Sequence, residues 1–173
     1  MNKIFHISAL AVALALGGQG AFAAQDADDF VENASAKGVS EVEAGKLAEE
    51  KGTSADVKAF AQMMVKDHTA ANQELKAIAR AKNLEVSDDA QLLDKAKAMI
   101  LELRGASSFD RAYANNQVKA HEATIELFKE QAASGEDPEL KAFAEKMLPA
   151  LDKHLEHAKE LAKATGGDSA QTN

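Results

Sequence analysis

Cysteine is absent from all 173 residues. No disulfide can brace the fold, no thiol nucleophile is available, and attachment of a lipid through cysteine is excluded. Tryptophan is also absent, there is one tyrosine, and aromatics make up only 5% of the chain. With two prolines and abundant alanine, little remains from which to build a β-rich fold. Positive charge is in deficit, 20 basic residues against 28 acidic. A chain this acidic offers no electrostatic footprint to nucleic acid or to anionic lipid. No Gly-x-Ser-x-Gly elbow and no glycine-rich phosphate loop occurs. Beyond the first residues no segment is apolar enough to span a membrane, and no alternating strands suggest a membrane barrel.

The first 23 residues read as a secretory leader. Met1-Asn2-Lys3 is a short basic start, and the apolar run from Ile4 to Leu16 is broken only by His6 and Ser8. Glycines end the run, and Ala21-Phe22-Ala23 supplies a small-x-small cleavage site. The pattern predicts export to the periplasm with a cut between Ala23 and Ala24. The leader holds one charge, Lys3, so its removal takes the net charge from −8 to −9.

Helical periodicity fills the rest. Residues 26–51 form a first helical region in which Gly38 and Gly45 allow a kink. Its apolar residues Ala36, Val39, Val42 and Leu47 set a buried face, which places Glu43 toward the core and Glu41 toward solvent. Thr53-Ser54-Ala55-Asp56 opens a helix over 55–82 as a capping box with aspartate in place of glutamate. A shorter helix is predicted over 88–103, capped by Ser87-Asp88-Asp89. Ser107-Ser108-Phe109-Asp110 begins another over 108–133, again as a Ser-x-x-Asp box. Asp137-Pro138 caps the last, which runs to about Ala164, with Pro149 expected to bend it. Residues 24–164 are thus one helical domain, and 165–173 form a small, polar, disordered tail. Four long helices with a short one between the second and third predict an all-α, ferritin-like four-helix bundle with a crossover helix.

Three histidines occupy positions where packing residues are expected. His68 lies on the stripe of Phe60, Ala61, Met64 and Leu75. His121 shares a stripe with Val118, Ile125 and Phe128, and His154 shares one with Leu151, Ala158 and Leu161. Counting ~1.5 Å per residue from the helix ends places Glu43, His68, His121 and His154 within a band of ~8 Å. Core-facing groups from four helices at one height are how bundle cofactor sites are built. Imidazoles with a carboxylate suit zinc, copper, nickel or non-haem iron. Asp67 is a candidate partner orienting an imidazole, and Asp110 and Tyr113 are further neighbours to consider. The competing reading makes the three rings hydrogen-bonded core residues, Asp110 a helix cap and His157 a surface residue. On that reading the chain is a non-catalytic envelope stress or interaction protein that self-associates or binds an envelope partner.

Several segments resemble one family. They are Glu41-Val42-Glu43 with Gly45-Lys46-Leu47-Ala48, and Phe60-Ala61 with Met64-Val65-Lys66-Asp67-His68. Phe109-Asp110 with Tyr113, His121-Glu122, Leu148-Pro149 and His154-Leu155 complete the set. Together, across about residues 28–161, they are similar to the ferritin-like set of exported bacterial proteins known as domain of unknown function 4142. The resemblance implies a four-helix bundle and an envelope location, and it implies no settled activity. The wider ferritin-like class suggests a di-iron centre, which needs a glutamate three residues before each of two histidine ligands. Here those positions are Val65, Val118 and Leu151. Iron oxidation or storage of the ferritin kind therefore lacks its ligands.

Overall fold

The computed structural model describes residues 26–88 and 104–166. Four helices account for almost all of them: α1 (Ala27–Lys51), α2 (Ala55–Lys82), α3 (Ala106–Ser134) and α4 (Pro138–Ala164). No strand occurs among the described residues. The leader lies outside them, as do the tail beyond Gly166 and residues 89–103 of the expected crossover helix.

Local chemistry accounts for most helix ends. Asp26, Ser54 and Asp137 each accept a backbone N–H from the first turn of α1, α2 and α4, and Pro138 occupies the first turn of α4. Asn83 ends α2 in the left-handed conformation, φ 58°, donating its N–H to Ala79 and Arg80 carbonyls. Two expected capping boxes are not what the structure builds. Gly105 precedes α3 with no side-chain cap. Asp110 instead reaches across to the α1–α2 turn, where its carboxylate accepts the N–H of Thr53 (3.0 Å), the N–H of Ser54 (2.9 Å) and the Thr53 hydroxyl (2.6 Å). Thr53 is thereby committed to Asp110, and Ser54 alone caps α2.

The packing fixes the topology. The helices pair as two hairpins, α1 with α2 and α3 with α4, and the hairpins meet through α1–α3 and α2–α4. Asp110 near the start of α3 touches the start of α2, so α2 and α3 run in the same direction and are diagonal to one another. The close of α2 and the start of α3 therefore lie at opposite ends of the bundle, as the ferritin-like arrangement requires. At the other end Lys82 ties the close of α2 to the start of α4, 2.8 Å from both Asp137 and Glu139.

Helix α1 is continuous through both glycines. Glycine at 45 allows close approach: a Cβ there would lie 2.7 Å from Val65 Cγ2 and 3.1 Å from the Ala61 carbonyl oxygen. Its inner edge is Phe30, Ala34, Gly38, Glu41, Gly45 and Ala48. This corrects the expected face at Val39 and Val42, which are only half-buried, while Ala36 is buried and Leu47 packs on the core as expected; small residues rather than these valines let α1 lie close against α2. Val39 and Val42 line an outer groove with Val86 and Ser87.

The interior is two hydrophobic clusters rather than one. Val57, Phe60, Met64, Phe109, Tyr113 and Leu161 fill one end. Phe30, Leu75, Ile125, Phe128, Leu140 and Phe143 fill the other. Between Met64 and Leu75 on α2, between Ala114 and Ile125 on α3, and between Leu151 and Ala158 on α4, the buried residues are polar.

Candidate metal centre

That polar belt is where the histidines sit. His68 comes from α2, His121 from α3 and His154 from α4, each replacing one apolar residue in a helical stripe and each buried. The ring centroids form a nearly equilateral triangle, 5.6, 5.6 and 5.5 Å on a side. One ring nitrogen from each lies within 4.8 Å of the other two.

Hydrogen bonding assigns the protons. His121 Nδ1–H donates to the Gln117 carbonyl oxygen at 2.9 Å, which leaves Nε2 with a lone pair in the neutral ring. His154 Nε2–H donates to Asp67 Oδ2 at 3.1 Å, which leaves Nδ1 with one. Those two nitrogens, together with Nε2 of His68, are buried and meet no protein partner. A buried polar atom left unpaired costs about 1–3 kcal/mol, so three in one place call for an explanation.

The electrostatics favour the neutral form of His68 and His154. Burial first, then the neighbouring His121 and His154, holds His68 well below the ordinary histidine value. His154 is also lowered, by burial and by His121, with the Asp67 hydrogen bond opposing. A neutral imidazole is the form that donates its lone pair to a metal. An ion 2.0–2.1 Å from three nitrogens on a tetrahedron needs them about 3.4 Å apart. Each ring would have to tilt inward by less than about 1 Å to reach that spacing, within what side-chain torsions supply.

The other expected site residues divide. Asp67 is half-exposed and accepts from His154, a carboxylate–histidine pairing of the kind common around metals. Glu43 does not reach the interior; it is exposed and lines the outer groove. Glu41, expected in solvent, is only 5% exposed and accepts the Gln117 side-chain N–H at 2.7 Å. The two glutamates are about 200° apart around the helix, so the orientation of α1 had to admit one and exclude the other. Asp110 is spent on the α1–α2 turn, about 16 Å along α3 from His121. Tyr113 belongs to the upper cluster, stacked on Phe109 with centroids 6.2 Å apart, and its hydroxyl bonds to no triad nitrogen. Burial, then Glu41 and Glu49, pushes that phenol well above its usual range. His157 is exposed.

Glu41 and Gln117 are the polar neighbours that helical reading undervalued. The signal for Glu41 was the alternating four-and-three spacing of Ala34, Gly38, Glu41, Gly45 and Ala48, a seam of small residues rather than an apolar stripe.

A four-helix bundle whose core is divided by three convergent, partly unpaired imidazoles is the class of protein these features define. The chain belongs to the family described as Domain of unknown function (DUF4142), which it matches over residues 13–161. No curated protein and no solved structure matches it.

Proposed function

We propose that this chain is an exported, periplasmic bundle that binds one transition-metal ion through Nε2 of His68, Nε2 of His121 and Nδ1 of His154. The observation that carries the reading is the set of three buried nitrogens, on three helices, with no protein partner and a common point to face. Convergence is what sets these rings apart, because the Tyr113 hydroxyl, the Gln117 side-chain oxygen and the Gln131 amide are also buried without a partner but gather at no common point with two others of their kind. Three neutral imidazoles suit zinc, copper, nickel or iron(II). Three protein ligands also leave a coordination position for an exogenous group, unlike the closed four-ligand sites that only brace a fold. Glu43 has no part in this site, and Asp67 acts by orienting His154.

Elemental analysis of untagged protein extracted from the periplasm tests the proposal. One equivalent of a single transition metal is expected, together with a mass for a chain beginning at Ala24. His68→Ala and His121→Ala should each lose the metal; unchanged metal content in both would refute the assignment.

A further inference from the structure

Directly beside the triad lies a small cavity of about 50 Å³. His68 and His154 form its inner wall, and Leu75, Phe128, Phe143 and Leu151 close it below. Nearly all its exposed surface is apolar, although Lys37, Asp67, Asn72 and Thr124 also contribute to its lining. A mostly apolar cavity of this volume accepts a small guest of about two or three heavy atoms. At the outer end the wall is half-exposed Ala71 and Met147 and exposed Ala150, where α2 passes α4. The small side chains of Ala71 and Ala150 thus stand between the cavity and solvent. Two independent features thus meet: an apolar chamber, and two buried histidines on its wall whose Nε2 (His68) and Nδ1 (His154) have no protein partner.

We infer that this cavity is the ligand chamber of the triad, and that it delivers a small, weakly polar molecule of diatomic size to the open position of the bound ion. The inference rests on the metal reading above. Charged molecules are disfavoured because they would shed water into an apolar space past the Asp67 carboxylate at its edge. A neutral guest has no such cost.

The test separates chamber from metal. Xenon added to the metal-free protein reports the cavity alone, by the shift of its resonance and of the methyl signals of Leu75 and Leu151. Carbon monoxide added to the copper(I)-loaded protein reports access to the ion, by its infrared band. Ala71→Leu narrows the outer end of the cavity and replaces no metal ligand; it should retain copper, lose the xenon shift and slow carbon monoxide binding. Ala150→Leu, at an exposed position, serves the same purpose if the first variant does not fold. Carbon monoxide binding indifferent to both variants, or no xenon shift in the parent protein, overturns the chamber while leaving the metal site standing. Failure to take up copper or any other transition metal overturns both.

Discussion

At the scale of single residues, the centre depends on who holds each proton. Asp67 accepts the His154 Nε2–H and so fixes the tautomer that leaves Nδ1 free. Asp67→Ala should therefore weaken metal binding about 10- to 100-fold, measured by competition with a chelator of known affinity. The same burial that keeps His68 neutral makes the metal-free protein sensitive to acid. Its native value lies well below the 6.5 of an unfolded histidine, so between those two values the unfolded chain binds more protons. Stability is then fully present above pH 6.5 and is lost as pH falls from there toward the native value. Urea midpoints of metal-free protein should decline over that window, and His68→Gln should flatten the decline. Asp110 and Asp137 are also depressed, but from 3.8, so their contribution fades only at more acidic pH.

At the scale of the helix, the decisive contact is α1 against α2. Gly45 sits against the Ala61 carbonyl and β-branched Val65, neither of which moves freely, whereas the Cβ of a residue at 38 would meet the Asn72 side-chain amide, which can swing away. Gly45→Ala should cost about 1–3 kcal/mol despite its better helix propensity, while Gly38→Ala should be close to neutral; denaturant unfolding of the two variants decides it. This contact also explains what could be read in advance. The four helices and the height of the three histidines follow from periodicity and rise alone, because large apolar residues mark the inner faces of α2, α3 and α4. On α1 the inner face is marked by small residues, so its valines pointed the reading toward Glu43 and away from Glu41. Asp110 misled for a related reason. Its spacing from Ser107 fits a local cap, but its actual partners are 56 and 57 residues away in the chain. Only the fold brings them near.

At the scale of the whole molecule, the belt of imidazoles separates two apolar clusters that each hold their own aromatic pairs, Phe109 with Tyr113 above and Phe30 with Phe128 below. A metal bound only by the native state stabilises it by about 2.7 kcal/mol when free metal is 100 times its dissociation constant. Hydrogen exchange should therefore show added metal slowing the amides of the belt most, around Asp67, Gln117 and His154. In the metal-free protein the belt should exchange faster than either cluster. Uniform protection along every helix in both states would contradict this division.

One hairpin lends a single imidazole and the other lends two. Any ion seated among them is consequently a clasp between halves that are each already well knit, and its arrival is an act of assembly as much as of binding. On the proposed reading, an exported chain would travel with its halves held by the Asp110 and Lys82 ties and would gain this further clasp only where the metal is supplied.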